Sequence, residues 1–326
     1  MKKRAFLIGT AAAMAIATLP VMAQSTVPGY PSKPIRIVVP FPAGGTSDVL
    51  ARLVGQKISD RLGQPVIIEN RAGNAGNLGA DHVAKSPADG HTFVLMDVGN
   101  LTISPALLKL PFDVHKDFTP VVMVGYSPHL LVTSSRVPVN NLEELVKYAK
   151  ANPGKLNYAA AAGMGSATHL AGVQFARHHG IKWNVVPYRG GAQAMNDLVG
   201  GHVDVTFNGM VATYPHVKSG ALKLMAVSSK KRWSELPDAP AVAETIPHFL
   251  TGSWQGLLAP AGTPQPIVDL IHAEVQRIVA LPDVREKLQA LGAEPSAMSS
   301  SDFAKWIGKE LADMATLVRE EKITLE

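Results

Sequence analysis

Two stretches carry the residue types best suited to chemistry. Residues 37–58 read "IVVPFPAGGTSDVLARLVGQKI" and residues 156–180 read "LNYAAAAGMGSATHLAGVQFARHHG". Each passes from strand-like apolar residues through glycines and small hydroxyl residues into a helical pattern. In the first, Gly44-Gly45 permit a tight turn, and Thr46, Ser47 and Asp48 are N-cap residue types ahead of Leu50, Leu53, Val54 and Ile58. In the second, Gly163-Met164-Gly165 leads to Ser166, the natural N-cap, and a helix bearing Leu170, Val173 and Ala176 that stops at Gly180. Backbone N–H groups leave the first turn of a helix unpaired, so each unit is an anion cradle. Two cradles in different halves of the chain imply two lobes that offer N–H groups to one shared ligand.

Other chemistries fit these residues poorly. No Walker lysine follows the first turn, which leaves a phosphate reader without its usual cation. A dinucleotide fingerprint at Gly163 would need Gly or Ala at Thr168 and an acid closing the next strand, and "WNVVPYRGG" has none. The stretch 73–79, "GNAGNLG", has the wrong spacing as well. Ser166 lacks a nucleophile elbow, because Met164 stands where its first glycine belongs. His169 follows Ser166 by three residues with no orienting acid nearby, so it reads as a polar residue lining a cleft or helix end. His178-His179 sit where imidazolium complements a helix C-terminus. Scattered histidines and the absence of cysteine give neither a zinc site nor a disulfide. No catalytic residue, metal or cofactor is expected.

Further polar groups stand at strand ends, where ligands of open α/β sheets bind. These are Asn100 in "FVLMDVGN", Tyr188 and Arg189 in "VVPYRGG", and Asn208 in "HVDVTFNG". Trp254 in "GSWQGLLAP" could stack on a ligand, though a core position suits it better.

Positioning such groups needs a regular scaffold. Apolar strand-like runs alternate with helical patterns through the chain, as in an α/β protein with mainly parallel sheets. Strands are expected at 35–39, 65–69, 92–96, 120–124, 129–133, 156–161, 184–187, 203–207, 222–227 and 254–259. Helices are expected at 47–62, 74–85, 141–151, 167–179, 191–199, 210–219, 264–280, 282–291 and 300–321. Ile267, Leu270, Ile271, Val275 and Ile278 recur at helical spacing and read as a core stripe.

The start of the chain reads as an export signal. Lys2, Lys3 and Arg4 precede an apolar stretch, Ala5 to Leu19, too short to span a bilayer, and "VMAQ" offers a cleavage site after Ala23. Removing it lowers 31 basic residues to 28 against 26 acids, so the full-length pI of 9.3 overstates the basicity of the mature chain. The one later basic run, Lys230-Lys231-Arg232, reads as a solvated loop, and nucleic acid is not an expected partner. About 300 mature residues suggest two domains, and no low-complexity linker separates them.

With these residues in view, the sequence closely resembles the periplasmic receptors of tripartite tricarboxylate transporters, the Bug family. The blocks that carry the resemblance span the mature chain: "YPSKPIRIVVPFPAGGTSDVLARL", "LGQPVIIENRAGNAGNLGADHVAKSPADGHTF", "LNYAAAAGMGSATHLAG", "VPYRGGAQAMNDLVGGHVDVTF" and "GLLAPAGTP". The resemblance implies a two-lobed clamshell of the type II periplasmic-binding-protein kind. Lobe 1 would comprise 24–125 and 229–326, lobe 2 would comprise 126–228, and 1–23 would be the signal peptide. It also implies main-chain capture of a ligand carboxylate by two loops. The first loop maps onto Phe41, Ala43, Gly44, Gly45, Thr46, Ser47 and Asp48. The second maps onto Gly165, Ser166, Ala167, Thr168 and His169, with Asn100, Tyr188 and Asn208 on the wall. Two places depart from the family pattern. Members often carry a Thr-His pair after the third strand, where this chain reads "DVGNLTIS", and an Asp after "VTF", where it has Asn208. The expectation is a monomeric, non-enzymatic periplasmic receptor that passes a small carboxylate to membrane permease subunits. The rival readings are a sensory receptor without a transport partner and a periplasmic enzyme using Ser166 and His169.

Overall fold

The unbroken apolar run Ile37–Val39 suits a strand buried on both faces, and all three residues are buried. The computed structural model describes residues 27–247, 249 and 251–320. The leader expected over residues 1–23 lies outside them. In chain order the elements are β1 (Ile35–Val39), α1 (Thr46–Leu62), β2 (Val66–Asn70), α2 (Asn77–Ala84), β3 (Thr92–Asp97), α3 (Ser104–Leu107) and β4 (Phe118–Ser134). There follow α4 (Leu142–Ala151), β5 (Asn157–Ala160), α5 (Ala167–His179), β6 (Asn184–Pro187), α6 (Gly191–Gly200), β7 (Val205–Gly209), α7 (Met210–Lys218) and β8 (Leu222–Val227). The chain closes with β9 (Gly252–Pro260), α8 (Gln265–Ala280), α9 (Pro282–Ala290), β10 (Glu294–Pro295) and α10 (Ser300–Glu320). Among the described residues no helix is long and apolar enough to cross a membrane.

The strands form two sheets, one per lobe. The first runs β2-β1-β3-β9-β4, with β10 added to β4, and the second runs β8-β4-β7-β5-β6. The outer pairs β1–β2, β1–β3, β5–β6 and β5–β7 are parallel. Antiparallel pairs occur where β4 and β9 join the sheets. Helices cover both faces. Leu50, Val54 and Ile58 of α1 pack with Ile271, Val275 and Ile278 of α8 on one face of the first sheet, while Phe303 and Ile307 of α10 cover the other. The apolar stripe expected on α8 is therefore core, each fully buried aliphatic side chain contributing about 1.5–3 kcal/mol.

One expectation is corrected. The runs 120–124 and 129–133 are not separate strands but parts of β4, which belongs to both sheets. Residues up to Pro128 pair with β9, and those from His129 pair with β7 and β8. Pro128 falls at this change of partner, where a strand tolerates a missing ladder donor best. The chain returns beside it: Ser228 N–H donates to His129 O, and Thr251 N–H donates to Ser228 O. Between these points Val242, Ile246 and Phe249 pack with Leu131 and Phe207 of the second sheet. His129 is buried between the two crossings, its Nδ1 3.2 Å from Thr251 Oγ1, and burial pushes its pKa down to about 3.

Candidate functional site

The first glycine turn leaves β1 at the C-terminal end of the sheet. Gly44 takes φ +83°, a left-handed conformation that favours glycine. Gly45, at φ −78° and ψ 170°, is the N-cap of α1, and no side chain caps it. The hydroxyl and acidic residues expected to cap therefore lie inside the helix, at Thr46, Ser47 and Asp48. The reason is visible in Asp48, which turns away from the helix end to brace the turn. Its carboxylate accepts from Gly44 N–H at 2.9 Å, Arg52 Nε at 3.0 Å and Asn70 Nδ2 at 2.9 Å. Asn70 Nδ2 also donates to Phe41 O at 3.0 Å. Burial alone would raise the Asp48 pKa, but the bonds from Arg52, Gly44 and Asn70 prevail and hold it below the usual range. With Asp48 so engaged, the N–H groups of the first helical turn are open to an external acceptor.

The second turn is built as the sequence implies. Gly163 and Gly165 take φ +90° and +78°, and Ser166 caps α5 by accepting His169 N–H at 3.2 Å. Ser166 Oγ donates to Gly163 O at 2.6 Å and lies 3.0 Å from Thr168 Oγ1. His169 Nδ1 accepts Gly165 N–H at 3.2 Å, and burial lowers the pKa of the ring. The Ser166 hydroxyl and the His169 ring thus brace the turn separately and are not hydrogen-bonded to each other. Ala167 and Thr168, both buried, supply the free N–H groups at this helix end.

Three more helix ends converge on the same cleft. The N-caps of α2, α6 and α7 are Gly76, Gly190 and Gly209, again without side-chain caps. A β-carbon on Gly209 would stand 2.5 Å from Thr46 Oγ1, and one on Gly44 would stand 3.4 Å from Ala192 Cβ. A β-carbon on Gly163 would lie 3.8 Å from Ala75 Cβ. The lobes are thus in contact around the two turns. Helix N-termini concentrate positive partial charge, so their convergence favours an anion without a paired cation.

The wall contains residues that sequence reasoning missed. The turn 73–77 includes Asn74 and Ala75 at φ +48° and +50°, and its glycine spacing matches no nucleotide fingerprint. Asn100, fully buried in a π-helical turn at Gly99–Ile103, donates from Nδ2 to Ala75 O at 2.7 Å, while its Oδ1 has no partner. Asp97 ends β3 and accepts Gly99 N–H at 2.8 Å. Burial raises its pKa to about 6, and the bonds from Asn100 and Gly99 N–H oppose that rise only in part. Gln255 faces Asp97 across β3–β9, fully buried, with both amide atoms unpartnered. In the sequence Asp97 and Gln255 lie inside apolar runs and carry no motif.

Other expected wall residues are placed differently. Tyr188 donates its hydroxyl to Asp197 Oδ2 at 2.6 Å, so only its backbone faces the second turn; Arg189 is exposed. Asn208 is buried, with Nδ2 on Thr213 Oγ1 at 3.0 Å and Oδ1 towards Gly191. Trp254 is a core residue that packs edge-on to Phe303 at 5.9 Å. Among the described residues no group of histidines and acids could hold a metal ion.

Comparison with known proteins agrees with this architecture. The family model described as "Tripartite tricarboxylate transporter family receptor" (TctC) matches residues 50–323. Protein BugT of Bordetella pertussis is 36% identical over 308 residues, covering 94% of each chain. R. palustris Rpa4515, solved with adipate, superposes with a TM-score of 0.87 at 34% identity, over 90% of this chain and 99% of that one. MatC from Rhodopseudomonas palustris, solved with bound malate, gives 0.84 at 34% identity, over 89% of this chain and 100% of that one. The chain belongs to the tripartite tricarboxylate transporter receptor family, which includes the Bug proteins.

Proposed function

We propose that this family member is a monomeric periplasmic receptor, exported by cleavage after Ala23, that closes its lobes on a small organic acid and delivers it to membrane permease subunits. The lobes divide where β4, and the segment between Ser228 and Gly252, pass from one sheet to the other. The observation that carries this reading is the packing of both anion cradles against the other lobe, the α1 turn beside Ala192 and Gly209 and the α5 turn beside Ala75. A carboxylate accepts from fixed N–H groups at both ends without ordering a flexible side chain, and both helix dipoles favour it. Phe41, Ala43, Gly44, Gly45, Thr46 and Ser47 would form one side, and Gly165, Ala167 and Thr168 the other. Asp48, Ser166 and His169 would hold these turns in shape. Adipate and malate in the two related structures support a ligand of the small dicarboxylate class. The unpartnered Asn100 Oδ1 suits a ligand that also carries a hydroxyl donor.

The test is a thermal-shift screen of small mono- and dicarboxylates on the mature protein. A binder at 100 times its Kd should stabilise the fold by about 2.7 kcal/mol, with compaction in small-angle scattering. Prolonged incubation should return the ligand chemically unchanged. Turnover, or no stabilisation by any organic acid, overturns the reading.

A further inference from the structure

Behind the N-terminus of α5 lies a cavity of about 720 Å³. That is the size range of sites for drug-sized organic molecules. Its walls come from both lobes: Val98, Met123 and Met314 on one side, Leu170 and Gln174 of α5 on the other. Trp233, Trp254 and Trp306 also line it, and the buried indole N–H groups of Trp233 and Trp306 have no hydrogen-bond partner. An indole N–H can only donate, and when buried it usually finds an acceptor. Trp254 is only 3% exposed, and its N–H lies towards the Glu310 carboxyl. The segment Lys230-Lys231-Arg232 contributes to the same wall. Arg232 is committed to Glu244, at 2.8 and 3.0 Å, whereas Lys230 and Lys231 are exposed; the main-chain carbonyl of Lys231 accepts from Ser229 Oγ at 2.6 Å. The acids of the wall are Glu294 and Glu310, and negative charge on an occupant favours the lysines.

We propose that this cavity, which adjoins the carboxylate cleft at Ala167, is a second binding site for an amphiphilic organic anion. Its apolar or aromatic body would lie among the methionines and tryptophans, which adapt to irregular shapes and stack on rings. Its charged head would meet Lys230 and Lys231. Because the wall belongs to both lobes, an occupant ties them together.

The probes are 8-anilinonaphthalene-1-sulfonate and decanoate, added to the full mature chain. The fluorophore should bind saturably, one per chain, with energy transfer from tryptophan, and decanoate should displace it. The Lys230→Ala/Lys231→Ala variant, altered only on an exposed loop, should bind the fluorophore about five-fold more weakly. Met314→Trp, which fills the cavity, should abolish saturable binding while still melting cooperatively. Absence of saturable binding by the parent overturns the proposal, as does parental affinity in the double lysine variant. Displacement of the fluorophore by malate would place it in the carboxylate cleft and overturn the proposal equally, leaving the reading of that cleft intact.

Discussion

Gly190 and Pro42 meet across the cleft from different lobes: a β-carbon on Gly190 would stand 2.4 Å from Pro42 Cδ. Gly190 has φ −177°, extended backbone that alanine adopts freely, so a substitution here probes the contact and not strain. The proline ring cannot swing aside as a flexible side chain would. Gly190→Ala should therefore hold the lobes apart, with affinity for a small carboxylate falling about ten-fold, roughly 1.4 kcal/mol. Stability should change by less than about 1 kcal/mol, the scale of an N-cap substitution. Calorimetry on parent and variant decides it, and unchanged affinity would mean that the contact is absent from the bound state.

Asp48 is predicted to matter more for folding than for binding. Asp48→Asn loses charge-assisted bonds to Gly44 N–H and Arg52 and should destabilise the fold by about 1–3 kcal/mol. Its folded pKa is depressed, so its contribution is present above the unfolded value near 4 and is lost as pH falls through the folded one. Urea melts at pH 7 and pH 3 should show the variant's deficit shrinking in acid. A well-folded variant that lost over about 100-fold in affinity, roughly 2.7 kcal/mol, would make Asp48 a ligand contact instead.

Asp97 gives the opposite pH dependence. Its folded pKa, raised to about 6, means that the native state keeps a proton that the unfolded chain has released. Its contribution is therefore fully present below the unfolded value near 4 and declines as pH rises to 6, by on the order of 3 kcal/mol. Asp97→Asn retains an acceptor for Gly99 N–H without the charge. It should be more stable than the parent at pH 8 and lose that advantage by pH 4. Equal pH profiles for the two proteins would refute this account. A β-carbon on Gly99 would lie near both Asp97 Oδ1 and Ala167 N. Carboxylate binding should accordingly tighten as the parent is acidified through pH 6, and do so less in the variant.

Ser166→Ala removes the cap of α5 and should lower stability by about 0.5–2 kcal/mol, with Ser166→Thr recovering most of it. Hydrogen exchange should show faster opening of the first turn of α5 in the alanine variant. Parental protection there would mean that Gly165 and His169 hold the turn without the cap.

Strand–turn–helix units were legible in the sequence because their causes are local. The strands 35–39, 184–187 and 222–227 follow from apolar runs, and α5 follows from Ser166 at one end and Gly180 at the other. The two glycine turns could be read as anion cradles for the same reason: a helix start exposes its N–H groups whatever surrounds it. The first turn already shows the limit. Its cap fell to Gly45 because Asp48 found better partners in Arg52 and Asn70, the latter on a different strand.

The sequence by itself thus determined the local units, the α/β alternation and the family blocks, since these rest on propensities and spacings within a few turns of chain. Only the tertiary structure decided that β4 would serve both sheets, that Asp97 and Gln255 would face each other in a buried site, and that Ala75 would stand opposite Gly163. Those outcomes depend on register and burial between segments far apart in sequence. A change of strand partner or the desolvation of one carboxyl exists only once the sheets have assembled around it.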